Sequence, residues 1–559
     1  MATVYVNDKP VDIGTERLNC VQVAERAGVL IPHYCWHPAL TVVASCRMCL
    51  VEVGELKDGK VLIPPKVFPG CQTPVKDGTV IVTGEYAKRD TNVAPLTYPD
   101  KYVPGKFAEK AQADTLEGIL LNHPLDCPVC DKAGECKLQD YSFQFGRAET
   151  RLVDEKNTPP NKPELGPTIS LFTDRCVMCS RCVRFTREIS GEAELQIIHR
   201  GNHAEIDVFP GEPLDNKLAG NVVDLCPVGA LGSKDFLYTQ RVWYMKSHDS
   251  VCAGCSTGCS IHVDTNKDVL FRLRPRENPL AQGHFMCDEG RHGYHYVNSK
   301  GRLGRPLVRK DGTATPALWS NVLAELASEF TAVAHRDAGK TWLVLSPMLT
   351  CEEAYLAAKW FKSLSPDVKL SLGPVPILGE DDTYPKDRRG RPLPEVKFTI
   401  RAEKCPNRLG VEAILKQFQG EVIAFDTLLE AGRKGEVKAV FLTAGFPDPK
   451  LLGAVAELPI VAVADLFGSD ATKNAKYILP SAAFAEKEGT FVNHAGLAQG
   501  IKRSVKPPRE SRPEGQIFFE LLGRRGLIRF DEIRTEMAGE VAFFAPLANG
   551  IGTLGVKLN

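Results

Sequence analysis

Sixteen side chains between Cys35 and Cys287, fifteen cysteines and one histidine, fall into four groups of four metal-ligand types. The groups are Cys35, Cys46, Cys49 and Cys71; His123, Cys127, Cys130 and Cys136; Cys176, Cys179, Cys182 and Cys226; and Cys252, Cys255, Cys259 and Cys287. Thiolate is a soft donor, and four such ligands are the complement of one iron–sulfur cluster. The chemistry implied is one-electron transfer.

Spacing separates the groups. In HYCWHPALTVVASCRMCLVEV, ten residues lie between Cys35 and Cys46, two between Cys46 and Cys49, and twenty-one before Cys71. A close pair with one ligand before it and one well after is the plant-type ferredoxin arrangement with a longer first loop, which predicts a [2Fe–2S] cluster. In HPLDCPVCDKAGEC one imidazole replaces one thiolate. A neutral ligand leaves the cluster less negative and shifts its potential. Gly134 gives that loop room to bend. RCVMCSRC puts three thiolates on one loop, and DLCPVGAL supplies Cys226 and is expected to open a short helix. This is half of a bacterial two-cluster ferredoxin, so one [4Fe–4S] cluster is the simplest count. CAGCSTGC with Cys287 fits a further [4Fe–4S] cluster.

Structural zinc shares these ligands and is the alternative for any one set. Two features disfavour it. Zinc sites tend to use two close pairs, whereas the last two sets have three clustered thiolates and one remote. The wide first loop of the Cys35 set is also unlike zinc spacing. Secreted disulfide scaffolds are small and cysteine-dense, and no signal peptide precedes MATVYVND, so a reducing bacterial-type cytosol is expected. Cys20 reads as a buried small apolar residue, and Cys351 and Cys405 are given no function.

The elements that must hold these ligands follow from periodicity. TVYVND and VDIG read as a hairpin and CVQVAERAG as a helix. YPDKYVPGKFAEKAQAD reads as a polar connection and DEKNTPPNKPELGP as a loop. Beyond the ligands, TWLVLS, AVFLTAG and IVAVADL are short apolar runs typical of buried parallel strands. WSNVLAELASEF and EEAYLAAKWFKSL are helical between them. In the first, Trp319, Val322, Leu323, Leu326 and Phe330 share one face, a core stripe. GPVPILGEDDTYPKDRRGRPLPE is expected to be an irregular surface loop, and KPPRESRPEG a break before a final helix, IFFELLGRR.

The chain has 559 residues, enough for several domains, and 69 basic against 69 acidic side chains. Zero net charge offers no electrostatic reason for nucleic-acid binding. No stretch approaches the roughly twenty apolar residues of a membrane span. DAGKT lacks the first glycine of a P-loop and precedes its strand, and no GxGxxG occurs.

The order of the sets resembles one family, the large iron–sulfur subunit of bacterial respiratory complex I. The matching runs are IPHYCWHPAL, ASCRMCLVEV, NHPLDCPVCDKAGECKLQD, RCVMCSRCVRF, NVVDLCPVGAL and CAGCSTGCSIHV. Beyond residue 300, GRPLVRKDG, TCEEAYLAAKWFKSL and LPSAAFAEKEGTFVNHAGLAQ resemble the molybdopterin oxidoreductase superfamily. The resemblance implies a multidomain α+β and α/β chain. Residues 1–95 would form a ferredoxin-like [2Fe–2S] domain, 96–150 a His–Cys [4Fe–4S] domain and 151–245 a ferredoxin-type [4Fe–4S] domain. Residues 246–302 would form a molybdopterin-oxidoreductase-type [4Fe–4S] domain and 303–559 a shortened molybdopterin-oxidoreductase-like domain. It has no persuasive metal ligand after the EEAYL helix, and no molybdopterin is expected there. The cofactors implied are one [2Fe–2S] and three [4Fe–4S] clusters on the sixteen residues, with no catalytic residue in this chain. Electrons would come from an NADH-oxidising flavin subunit and pass through the Cys35, Cys176 and His123 sets towards further iron–sulfur subunits and quinone. The Cys252 set would lie off that path, and its presence points to a bacterial lineage. The place implied is the cytoplasmic side of the bacterial inner membrane, held to it only through partner subunits. The nearest rival is the related subunit of a soluble NAD-linked hydrogenase or formate dehydrogenase.

Overall fold

The computed structural model describes residues 2–558 apart from 200, 388, 444–454, 456 and 457. The chain divides into two units, residues 1–244 with 385–393, and residues 245–384 with 394–559.

The first unit opens with the expected hairpin, Ala2–Val6 on Lys9–Gly14, whose turn residues Asn7 and Asp8 take left-handed backbone. Strand Ala2–Val6 also pairs in parallel with Thr79–Val82, which runs antiparallel to Leu50–Lys57. Short strands at Lys60–Leu62 and Val67–Pro69 complete a six-stranded sheet. Helix Cys20–Arg26 covers it, started by a reciprocal capping box between Asn19 and Gln22. Val4, Val6, Val21, Val23, Val51 and Ile81 form the core beneath, together with Cys20, Cys49 and Cys71.

The second half of the stretch read as a polar connection is instead the start of a helix, Lys106–Leu120. Its buried residues are Ala108, Gln112 and Leu116, four apart, so one face packs although the segment is polar overall. The buried carboxylate of Glu52 accepts from Phe107 N at 2.9 Å and Ala108 N at 3.0 Å, satisfying amides of the first turn. Helix Lys137–Phe145 follows, and DEKNTPPNKPELGP is a loop as expected. Strands Ile169–Leu171 and Leu231–Ser233 pair, and helices Arg181–Phe185 and Asn221–Leu225 pack together near them. Cys226 therefore closes a helix and does not open one. Pro227 forces the residue before it out of helical backbone, and Cys226 is extended with ψ 117°.

The second unit begins with an antiparallel three-stranded sheet, Lys246–Val251, Ser260–Asn266 and Val269–Pro275. Its larger sheet has seven strands. Thr341–Leu345, Lys369–Leu372, Ala439–Leu442, Ile460–Asp465 and Tyr477–Pro480 are parallel, and an antiparallel hairpin, Leu307–Lys310 with Thr313–Pro316, adds one edge. TWLVLS, AVFLTAG and IVAVADL are thus parallel strands; the alanine and glycine ending AVFLTAG lie outside the described residues. Alternation sends Leu343, Leu345 and Phe441 into one core and Trp342, Val344, Val440 and Leu442 into another. The sheet is covered on both faces, as a parallel sheet requires. The stripe on helix Trp319–Asp337 packs entirely into the first core.

Two further expectations are corrected. The insertion after Leu372 contains strand Asp382–Tyr384, paired with Phe398–Ile400 just beyond it. Helix Glu514–Leu521 is not the last, because Phe530–Glu540 follows and buries Phe530, Ile533 and Met537. Within this unit Lys487 lies buried between two buried carboxylates, 2.8 Å from Glu353 Oε2 and 3.3 Å from Glu514 Oε2. No helix among the described residues is long and apolar enough to cross a membrane.

Candidate metal centres

The sequence-derived candidates lie in loops between the elements above, except Cys182, which lies in helix Arg181–Phe185. In the first, Cys35, Cys49 and Cys71 are buried and Cys46 half-buried. The Cys35 amide donates to Cys46 Sγ at 3.5 Å. Contact with the Cys46 and Cys71 thiols holds the Cys35 thiol well below its ordinary value, whereas Cys71 is pushed well above. Four thiols this crowded cannot all ionise unless a cation joins them. The loop is tightened by left-handed Ala44 and Arg47, and Gly70 N bonds Cys49 O at 2.8 Å.

In the second set Cys130 and Cys136 are buried and Cys127 is exposed. Cys136 caps helix Lys137–Phe145. Burial raises its thiol to about 11, opposed by the Gln139 and Leu138 amides that point at its sulfur. His123 is lowered to about 4 by burial and by the charges of Lys156 and Arg175, so its imidazole is neutral, the form that binds metal. Arg175 also acts on Cys130 and pairs with Asp126 at 2.8 Å, so one guanidinium is shared around the set. Gly134 has φ 87°, the bend its sequence position suggested. Trp243 packs against it, 3.1 Å from where a Cβ would stand.

Cys176, Cys179, Cys182 and Cys226 line one cavity with Leu171, Ile206 and Val228. Met178 and Ser180 take left-handed backbone, which turns the three-cysteine loop around that space. Burial raises Cys179 to about 11 and lifts Cys176 and Cys182 well above the ordinary range. Cys252, Cys255, Cys259 and Cys287 line a second cavity. There Gly254 N donates to Cys252 Sγ at 3.4 Å and Gly290 N to Cys287 Sγ at 3.3 Å. A Cβ on Gly290 would stand 2.9 Å from Cys252 Sγ.

The third and fourth seats fit iron–sulfur clusters. In the last two sets four sulfurs surround a volume and not a point, amides aim at sulfur, and the lining is mainly apolar. Among the described residues no three His, Cys, Asp or Glu side chains are placed to hold one metal ion. Neutral thiols in such places are costly to ionise without a metal's positive charge.

The other three cysteines are packed. Cys20 Sγ donates to Thr73 O at 3.5 Å, Cys351 Sγ to Asn407 Oδ1 at 3.4 Å, and Cys405 Sγ to Glu403 Oε1 at 3.7 Å. Sequence reading missed Arg175, Arg181 and Arg184, although all three flank or interleave the cysteines of DRCVMCSRCVRF.

Five family models match the chain. They are a 2Fe-2S iron-sulfur cluster binding domain over residues 1–86, the NADH-ubiquinone oxidoreductase-G iron-sulfur binding region over 112–151, and the ferredoxin-like domain of NADH-quinone oxidoreductase subunit 3 over 166–232. The molybdopterin oxidoreductase Fe4S4 domain follows over 245–299 and molybdopterin oxidoreductase over 421–524. Fold and centres define an iron–sulfur protein carrying [2Fe–2S]-type and [4Fe–4S]-type domains ahead of a molybdopterin-oxidoreductase domain. The G subunit of the NADH-quinone oxidoreductase of Rickettsia conorii is 34% identical over 60% of this chain and 45% of its own length. That of Rickettsia felis is 27% identical over 94% of this chain and 88% of its own. The mitochondrial NADH-ubiquinone oxidoreductase 78 kDa subunit of Neurospora crassa is 36% identical over 61% and 42%. The chain is thus similar to NADH-quinone oxidoreductase G subunits. The match covers less than half the length of the Rickettsia conorii and Neurospora crassa relatives and 88% of the Rickettsia felis one. A chain of the crystal structure of an NAD+-reducing [NiFe]-hydrogenase matches 43% of this chain and 91% of its own at 23% identity, with a TM-score of 0.34.

Proposed function

We propose that this chain is an electron-transfer subunit of an NADH:quinone oxidoreductase. The observation that supports the reading is that Cys176, Cys179, Cys182 and Cys226 line one cavity and Cys252, Cys255, Cys259 and Cys287 another, in a chain similar to the G subunits. Cys35, Cys46, Cys49 and Cys71 would hold a [2Fe–2S] cluster. His123, Cys127, Cys130 and Cys136, then Cys176, Cys179, Cys182 and Cys226, then Cys252, Cys255, Cys259 and Cys287 would each hold a [4Fe–4S] cluster. When bound, these groups supply one-electron oxidation and reduction, with the Cys35, Cys176 and His123 sets on the route from NADH to quinone.

The chain's own part is to fix the clusters, shield them and set their charge. It makes no bond in a substrate. The flavin subunit that oxidises NADH and the iron–sulfur subunits nearer quinone are its proposed partners, and they would tether it to the cytoplasmic face of the membrane. We assign the five segments 1–95, 96–150, 151–245, 246–302 and 303–559 as its domains, the last without molybdopterin. Metal analysis of the intact complex tests the reading. About fourteen irons attributable to this chain are expected, from one two-iron and three four-iron centres. Zinc in their place rejects it.

A further inference from the structure

Two arginines join the loop of the Cys35 set to that of the Cys176 set. Arg184 Nη2 donates both to the carbonyl of Cys35 and to the carbonyl of Cys179, the latter at 3.3 Å. Its Nη1 donates to Thr41 O at 2.5 Å and its Nε to Ser180 Oγ at 3.3 Å. Arg181 Nη2 donates to Trp36 O and its Nη1 to Leu225 O at 3.2 Å, one residue before Cys226. One guanidinium thus bonds a candidate ligand of each set, and its neighbour bonds the residues adjoining a ligand of each.

The charge around these groups is unusual. Arg181 is 5% and Arg184 4% exposed. Among the described residues neither forms an ion pair, and every acceptor named is neutral. Glu188 accepts from Thr41 N and Oγ1. Arg181 Nε has no partner. A buried guanidinium without a counter-ion costs several kcal/mol, and here two lie side by side. Four-thiolate clusters are anions in both oxidation states. Seated in the two sets, they supply the missing negative charge.

We propose that Arg184, with Arg181, is a positioning and potential-setting bridge between the two centres. It ties their ligand loops at one separation and raises the midpoint potential of both. The sign follows from charge: reduction adds an electron to an anion, and a buried cation favours the more negative state. Each event moves one electron from one centre to the other, with no proton or bond change at the guanidinium. This inference rests on the iron–sulfur reading above.

The test is an EPR-monitored redox titration of the intact complex, with iron content measured on the same samples. Arg184→Gln removes the charge and keeps a hydrogen-bonding amide. The expected result is a shift towards oxidised forms of about tenfold at fixed potential, about 59 mV for one electron, at the Cys35 and Cys176 centres. The His123 and Cys252 centres should hold their midpoints. Arg184→Lys should recover most of the shift. Unmoved midpoints in an iron-replete Arg184→Gln overturn the proposal, as does a lysine variant as low as the glutamine one. Should Arg184→Gln lose iron, Arg181→Gln carries the test: a lowered Cys176-set midpoint supports the bridge, and an unmoved one overturns it. Absence of any iron–sulfur signal in the unaltered complex would instead reject the proposed function.

Discussion

Gly229 lies against Cys130 so closely that a Cβ on it would stand 2.2 Å from the sulfur. Glycine is required there by contact alone, since its backbone does not need the left-handed region. Gly229→Ala should displace Cys130 and cost the complex about four irons, those of one [4Fe–4S] centre. Iron analysis with EPR reads this, and unchanged iron would refute Cys130 as a ligand.

His123→Cys should keep a cluster and lower its midpoint, because thiolate brings a negative charge where a neutral imidazole stood. Redox titration followed by EPR measures it. An identical midpoint would remove His123 from the ligand set.

Asp264 is buried on the strand that starts after Cys259, with Arg272 Nε and Arg274 Nε each 2.7 Å from its Oδ2. Burial opposes its ionisation, yet the two guanidiniums hold it down to about 2. A lowered carboxylate contributes stability above its unfolded value near 3.8 and loses it as pH falls towards 2. Asp264→Asn should cost on the order of 2 kcal/mol at neutral pH. Thermal unfolding should show the gap from the unaltered protein shrinking once the pH drops below about 3.8.

Glu514 behaves oppositely. Burial raises it to about 7, only partly offset by Lys487, and Glu353 adds repulsion. Its stabilising contribution is whole below about 4.5 and is lost as pH rises through about 7. Glu514→Gln should therefore gain on the unaltered protein between pH 5 and pH 8 in thermal unfolding. A constant difference across that range would contradict the assignment.

The cavities of the Cys176 and Cys252 sets were legible because three of the four cysteines that line each stand within a few residues of one another. The parallel sheet was legible because its strands are buried on both faces and read as unbroken apolar runs. The arginine bridge was not. Arg184 and Cys35 are 149 residues apart, and the acceptor is a backbone carbonyl, which every residue carries. Helix Lys106–Leu120 escaped for a related reason. Its stripe has Gln112 at the centre, bonded to Leu50 O, and the group that starts it, Glu52, lies in a strand far upstream. The helix misplaced after Cys226 was local in cause, since Pro227 governs the residue before it and not the one after. Helix Phe530–Glu540 carried its own apolar spacing and could have been read.

The loops joined by Arg181 and Arg184 belong to one polypeptide. Their spacing is settled once, when the chain folds, and not anew at each meeting of two proteins. Dilution cannot uncouple them, and no encounter rate enters between one centre and the next.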